Sequence, residues 1–589
     1  MITRSTETKG PRKQLVCSAL AALLAICCLS STVAGEAITD FSLIDHQGRF
    51  FQLSRHSDQN AVVIVTLSEN KRDLSRFAKD LSSLAEQFKD NDIEFFFMDS
   101  SGAHDKALLS DIASEAKLSV PILIDDTQLI AEALGITRSL ETIIINPKSK
   151  ELVFRGALND RFVLGSKARK AKVHYAGDTL SQMLAGSKPL TDEMESKGEP
   201  INFSDKASRV AALTYENDIA PILKQRCVSC HVEGGIAPFA MSNHQMIKGW
   251  SPMIREVLMT KRMPPGQIDK EYSNEFHSVN QISVEETQKL VHWIEEGAVH
   301  SGARDPLAEL SITPKKWAYG EPDMIVKIPP QQIPATGVQD YRNLVVPLDL
   351  EEDVWVKAVE FVAGDTTVLH HIIAWASAPQ GRGGGAFGLL NQGIGLGAYA
   401  PGNSINTYPE GSGFPLEVGS GLRLQMHYTT SGKEATDASE IGIYLWDEEP
   451  EKRVLGGSAA DLDISIAPFE ADHEMVASKK FRKDAYLTMV GPHMHYRGTD
   501  ANFKLIYPDG VTEEILNVPN YQFNWQKTYD FKEPKFIPAG TEMVFRATFD
   551  NSEMNPSNPD PSDEISWGEQ SWQEMFFGFF RYIDAENGD

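Results

Sequence analysis

Gly491-Pro492-His493-Met494-His495-Tyr496 sets two histidines one residue apart in an otherwise apolar run. On a β-strand alternate side chains share a face, so these two imidazoles stand about 6.6 Å apart along the chain and can share one ion. Met494 points to the opposite face. Upstream lie Val368-Leu369-His370-His371 and Leu424-Gln425-Met426-His427-Tyr428, and downstream Trp572-Gln573-Glu574-Met575 adds a thioether. His370 and His371 face opposite sides of a regular strand, so both reach one ion only where a bulge or strand end re-aims one of them. Imidazole together with thioether suits copper, because soft sulfur holds Cu(I) and imidazole serves both oxidation states. Each histidine alone reads as a surface or satisfied core residue; the combination does not. Around them run short strand-like segments separated by Gly, Pro and Asp turns, such as Met324-Ile325-Val326-Lys327-Ile328 and Phe503-Lys504-Leu505-Ile506-Tyr507. That texture predicts antiparallel sandwiches.

The order and spacing of these motifs resembles the type II copper monooxygenases, the family of peptidylglycine α-hydroxylating and dopamine β-monooxygenases. The resemblance covers roughly residues 315–585. It implies two all-β, jelly-roll-like copper sandwiches, here 303–450 and 451–589. It also implies an electron-transfer copper on His370, His371 and His427. A second copper, where O2 binds and substrate is hydroxylated, falls to His493, His495 and Met575, the implied catalytic residues. Met554, in the polar loop 551–561, is the rival sulfur, while Met426 and Met494 read as packing residues. Gln425 stands beside His427, either on an electron path or as a structural hydrogen-bonding residue. The glycine-rich stretch 383–402 reads as a cover over a cleft or as a plain flexible loop. Peptide-amidating members of the family hold a substrate carboxylate with an arginine two residues before the His-x-His and a tyrosine four residues after the methionine. Gly491 and Phe579 occupy those positions here. Neither can pair a carboxylate, so a C-terminal peptide glycine is not expected, and the substrate stays open as a small molecule or another peptide.

Upstream, Arg226-Cys227-Val228-Ser229-Cys230-His231 carries the Cys-x-x-Cys-His pattern of covalent haem attachment. Cys227 and Cys230 would form the thioethers and His231 would ligate iron. Zinc is the competing use of a cysteine pair, but no second pair completes such a site. Arg262-Met263-Pro264-Pro265-Gly266 resembles the loop that supplies the distal sulfur in small cytochromes c, which favours Met263 over His244 or His277 as the second axial ligand. Residues 213–302 are therefore expected to form an all-α cytochrome c domain, preceded by a polar linker over 181–212.

Residues 37–180 alternate strand and helix patterns, from Ala61-Val62-Val63-Ile64-Val65-Thr66 to Leu152-Val153-Phe154-Arg155-Gly156, which predicts an α/β domain. The order resembles the redoxin branch of thioredoxin-like proteins. The catalysis of such proteins needs a thiolate at the first helix N-terminus, yet Leu67-Ser68-Glu69-Asn70 has no cysteine. Leu140 stands near the usual cis-proline position. The domain reads as redox-dead, kept for docking or structure.

The 589 residues carry a net charge of −26 with no acidic tail, which argues against nucleic acid or an anionic membrane as partner. Residues 1–36 read as a signal peptide, with Lys9, Arg12 and Lys13 ahead of an apolar run over 15–29. No later stretch is apolar enough to span a bilayer. Cys17, Cys27 and Cys28 lie in that signal, so Cys227 and Cys230 are the cysteines left after cleavage. The expectation is an exported, periplasmic or extracellular monooxygenase with two copper ions and one covalently bound c-type haem. It would hydroxylate a C–H bond with O2, taking electrons from ascorbate or a redox partner protein, with the fused haem as relay. A non-catalytic copper and haem electron carrier or sensor, or a scaffold for a multihaem partner, is the alternative.

Overall fold

The computed structural model of the chain describes residues 36–187, 194–203, 210, 213–233, 235, 237–277, 279, 281–310, 315–377 and 395–585. The expected signal peptide through residue 35, part of the expected linker and the first part of the glycine-rich stretch lie outside the described residues. Among the described residues no helix is long and apolar enough to cross a membrane.

The first unit is a mixed eight-stranded sheet flanked by helices. Its centre is Ala61–Thr66, paired in parallel with Ile93–Asp99 and antiparallel to Glu141–Asn146. All six residues of Ala61–Thr66 are buried, as expected of a strand covered on both faces. Helix Lys71–Gln87 buries Leu74, Phe77, Ala78, Leu81 and Leu84 along one stripe, and the Asn70 side chain caps it by accepting from the Asp73 N–H. Where a catalytic thiolate would sit, this chain spends the helix N-terminus on a capping bond.

Between 213 and 302 the regular elements are helical. They include Ala220–Arg226, His244–Met259 and Val284–Glu295, the last started by a capping box between Ser283 and Glu286. These helices share one apolar cluster with the first unit, in which Ile254, Leu258, Leu290 and Val291 pack with Met98, Leu123, Leu129 and Ile130. Two polar contacts fix the pairing: Gln288 Nε2 donates to Thr127 O at 2.7 Å, and His292 Nε2 lies 2.8 Å from Glu132 Oε2.

Residues 266–277 leave the helices and dock on the last sandwich. Phe276 bridges Phe531, His277 N–H donates to Asp530 O, and Ile268 and Phe276 enter the core of that sandwich. A block assigned to the haem region in sequence thus completes a β-core elsewhere.

The remaining chain forms two sandwiches built on one nine-stranded sheet. One end of that sheet, with Val354–Val362, packs against the four strands Arg342–Pro347, Gly421–Tyr428, Leu369–Ser377 and Gly395–Tyr399. Its other end, with Ala485–His493 and Phe577–Asp584, packs against His473–Lys480, Glu542–Phe549, Gly498–Ile506 and Thr512–Val518. The ends join where Ser412–Leu416 runs parallel to Lys452–Ala460, pairing Ser412 with Lys452 and Gly413 with Arg453. The two expected sandwiches are therefore continuous through a sheet that crosses the 450/451 division.

Candidate metal centre

His370 and His371 begin Leu369–Ser377, and His427 lies in its neighbour Gly421–Tyr428. The register pairs Leu369 with Tyr428 and then His371 with His427, which leaves His370 as an extra residue in a bulge. A bulge is what two adjacent histidines need if both are to face one point. One ring nitrogen from each of the three lies within 4.8 Å of the others, and all three residues are buried. The Nδ1 atoms of His370 and His371 are 3.3 Å apart. Ser571 Oγ lies 3.3 Å from His427 Nε2.

Three buried ring nitrogens have no hydrogen-bond partner: Nε2 of His370, Nε2 of His371 and Nδ1 of His427. Each orphaned polar atom costs about 1–3 kcal/mol, so three side by side are expensive unless something binds them. Burial lowers His370 to about 4 and His427 to about 3, and holds His371 well below the ordinary imidazole range. All three are neutral at neutral pH, the form that donates a lone pair to a metal. This donor set fits a copper ion.

His493 ends Ala485–His493, and His495 follows in the turn. Their ring centroids are 5.5 Å apart. His493 Nδ1–H donates to Gln526 Oε1 at 2.8 Å, and His495 Nδ1–H donates to Gln573 O at 3.1 Å. Both bonds fix the tautomer that leaves Nε2 as the lone-pair nitrogen. Burial lowers His493 to about 4, and His495 well below its ordinary value.

Met575 is buried, and His493 pairs with Phe577 across the sheet. The adjacent Glu574 clamps this turn, one oxygen accepting from His495 N–H at 2.8 Å and the other from Arg497 N–H at 2.7 Å. Burial pushes the Glu574 carboxyl up to about 8, against the pull of those two donors and of Arg497. The fully buried Arg497 donates to Asn551 Oδ1 and to Trp572 O. The rival sulfur is engaged elsewhere, since Ser57 Oγ donates to Met554 Sδ at 3.2 Å. Met426 and Met494 are buried in the two sandwich cores.

The two histidine sets adjoin. His371 and His493 have ring centroids 6.4 Å apart, and Tyr341 lies among His371, His427 and His495 at 5.2, 4.5 and 6.1 Å. The Tyr341 hydroxyl is 3.4 Å from His495 Nε2. Phe523 stacks on His370 at 4.6 Å and 17°. Sequence reasoning missed Tyr341, Phe523, Gln526 and Arg497. Each is a single residue with no motif around it, and Glu574 alone lay inside a quoted segment. Gly491 and Phe579 are cross-strand partners, and the Phe579 ring is 6.0 Å from His493. Phe577 stacks on Phe579 at 5.3 Å. The wall beside His493 is aromatic.

Cys227, just past helix Ala220–Arg226, and Cys230 are unpaired thiols. Burial pushes the Cys227 thiol up to about 12, the reverse of a redox-active Cys-x-x-Cys. His231 Nδ1–H donates to Phe239 O at 3.0 Å, which leaves Nε2 as the nitrogen for iron. Unpaired thiols beside an imidazole so oriented fit covalent haem. Met263 lines a cleft of about 250 Å3 with Ile44, Ile130, Leu258 and Lys261, and neither cysteine nor His231 lines that cleft. His244 Nε2–H donates to Ala298 O at 2.8 Å, a structural use of that ring.

No known protein family matches this chain, and no curated protein matches it. Among solved structures it is similar to a hypothetical protein from Sinorhizobium meliloti 1021, at 20% identity over 29% of this chain and 94% of that one, with a TM-score of 0.26. Peroxidoxin BcpB from Mycobacterium tuberculosis matches at 17% identity over 26% of this chain and 96% of that one, with a TM-score of 0.21. The exposed lipoprotein thioredoxin of Streptococcus pneumoniae strain TIGR4 matches at 17% identity over 25% and 98%, with a TM-score of 0.20. Each of these likenesses covers between 25% and 29% of this chain.

Proposed function

We propose that this chain is a copper- and haem-dependent monooxygenase that hydroxylates a C–H bond with O2. The observation that carries the reading is the convergence of five buried, neutral imidazoles from three separate strand ends, three of them with an orphaned ring nitrogen. His370, His371 and His427 would hold one copper; His493, His495 and Met575 would hold the other. Bound copper supplies one-electron redox chemistry and O2 activation for RH + O2 + two electrons + two protons giving ROH and water. Gln526 and the Gln573 carbonyl fix the tautomers of His493 and His495. Glu574 holds the backbone between His495 and Arg497. Phe523, Tyr341, Phe577 and Phe579 keep water from the cluster and present an apolar surface on the His493 side. Gly491 and Phe579 offer no charge to a carboxylate, so the group bound there is uncharged.

Cys227, Cys230 and His231 would hold the haem, which supplies a one-electron relay. Met263 is the candidate second axial ligand. The first unit, with no thiol at its helix N-terminus, serves as a docking body for the helical region.

The test is metal analysis for two coppers and one iron per chain, followed by oxygen uptake with a reductant and a panel of C–H substrates. Loaded protein that takes up no oxygen with any of them, while exchanging electrons with a small cytochrome, would establish the carrier reading instead.

A further inference from the structure

The first unit and the helical region enclose a cleft of about 250 Å3 that the copper and haem assignments leave unused, Met263 apart. One wall lies at the carboxyl ends of the parallel strands Ile93–Asp99 and Ile122–Ile124, the place where open α/β sheets take their ligands. The other wall comes from Leu258 and Met259 at the end of helix His244–Met259, and from Ile282 and Val284 where the next helix begins. Ser42 lines the cleft too. It is 1% exposed, and its hydroxyl has no hydrogen-bond partner among the described residues. A buried hydroxyl in that state is costly unless a bound molecule engages it.

Among the described residues, every charged side chain lining the cleft is engaged by a neighbour. Lys106 Nζ lies 2.8 Å from Asp269 and 3.6 Å from Glu271. Lys270 pairs with Asp126, and against burial Lys261 and Lys270 together hold the Asp126 carboxyl below its ordinary range. His104 Nδ1 lies 3.1 Å from Asp99 Oδ1, and Asp105 caps a helix by accepting from Leu108 N–H at 2.8 Å. An ion entering this cleft finds no free counter-charge.

We propose that this cleft is a binding site for an uncharged, single-ring molecule carrying a hydroxyl, which Ser42 engages. Size sets the class. A cavity of about 150 Å3 takes benzene and drug-sized ligands use about 300–1,000 Å3, so 250 Å3 suits one ring with a short alkyl substituent. Chemistry sets the rest. Leu43, Ile130, Leu258 and Ile282 offer the ring an apolar lining, the paired rim charges turn away an acid or an amine, and the orphaned hydroxyl calls for one hydrogen bond. The site needs neither copper nor haem, so it goes beyond the function proposed above and stands without it. It also gives the cysteine-free first unit a use besides docking, because each unit supplies one wall and the ligand bridges them.

The experiment uses the full-length protein with its copper and haem, titrated at pH 7 by calorimetry with 4-ethylphenol, ethylbenzene and the 4-ethylbenzoate anion. 4-Ethylphenol should bind once per chain and raise the Tm. Ethylbenzene should bind about three- to tenfold more weakly, the worth of one hydrogen bond, and 4-ethylbenzoate should not bind. Ser42→Ala should bring 4-ethylphenol down to the affinity of ethylbenzene and leave ethylbenzene unchanged. It should also raise the Tm of the ligand-free protein, because it removes an orphaned hydroxyl. Ile282→Trp should fill the cleft and abolish binding of both neutral probes at unchanged copper and iron content. A wild type that binds neither neutral probe has a cleft that holds water alone, which overturns the site. Binding that neither variant alters places the probe elsewhere and overturns it as well. So does binding by haem-free chain that haem loading abolishes, since the cleft then belongs to the haem pocket. Chain that takes up no copper or haem yet binds 4-ethylphenol through Ser42 supports the site while the monooxygenase reading fails.

Discussion

The rings of His371 and His493 lie 6.4 Å apart, centroid to centroid, at an interplanar angle of 84°. One belongs to the four-stranded sheet of the first sandwich and the other to the end of the nine-stranded sheet. Their contact makes the two ligand sets neighbours.

Copper stoichiometry follows from that contact. Wild type should retain two coppers per chain after dialysis, and His427→Ala or His495→Ala should retain one. His371→Ala should lose one copper and bind the other about tenfold more weakly, because its ring also walls the His493 set. Inductively coupled plasma analysis checks the count and competitive chelation checks the affinity. Two tightly held coppers in His371→Ala would contradict the assignment.

Metal-free protein should be acid-sensitive through this cluster. His370, His493 and His427 have folded values near 4, 4 and 3, below the unfolded value of 6.5. The unfolded chain therefore binds more protons in that window, and stability falls as pH drops from about 6.5 to 4. Glu574, raised to about 8, works in the opposite direction above its ordinary value of 4.5. It is one group against three, so the histidines set the sign. The Tm of metal-free protein should drop steeply between pH 7 and pH 4.5, and copper loading should reduce the drop at pH 6, where ligation still competes with protons.

Glu574→Gln should misplace His495. The carboxyl group accepts one backbone N–H on each oxygen, and an amide offers one acceptor oxygen while its NH2 faces the other donor. The expected cost is about 1–3 kcal/mol of stability, measured by urea unfolding, with an altered Cu(II) EPR spectrum for the site it supports.

Space beside the His493 strand can be probed without touching a ligand. A Cβ at Gly491 would come within 3.0 Å of Thr528 Cγ2. Gly491→Ala should destabilise, and Gly491→Ala with Thr528→Ser should recover most of the loss, because serine removes that methyl and keeps the hydroxyl that accepts from Asn403. A coupling energy of about 0.5–3 kcal/mol in a double-mutant cycle is expected.

Covalent haem should depend on both thiols. Protein made with a haem-attachment system should give a haem-stained band on a denaturing gel. Cys227→Ser with Cys230→Ser should abolish that band while leaving the copper count at two.

Much of the candidate centre was legible because its chemistry sits in dense motifs. The need for a bulge at His370 follows from side-chain alternation alone, and the register shifts there. The cysteine-free start of helix Lys71–Gln87 was equally visible, since Asn70 is a strong capping residue. What periodicity cannot reveal is which partner a strand or loop takes. The parallel joint between Ser412–Leu416 and Lys452–Ala460 has no local signature. Nor do Ile268 and Phe276, apolar residues in a loop, announce that they complete a core built from Ala459 onward. Gln526 and Tyr341 act through position only, one hydrogen bond or one ring each, and leave no spacing to read.

The insertion of residues 266–277 into the last sandwich bears on how the chain is made. Asp269 and its partner Asn517 are 248 residues apart, so translation at 5–20 residues per second separates their synthesis by roughly 10–50 s. During that interval Ile268 and Phe276 have no core to enter and are open to a holding chaperone. Residues 266–277 reach their final packing only after the C-terminal strands have emerged, which ties completion of the helical region to completion of the polypeptide.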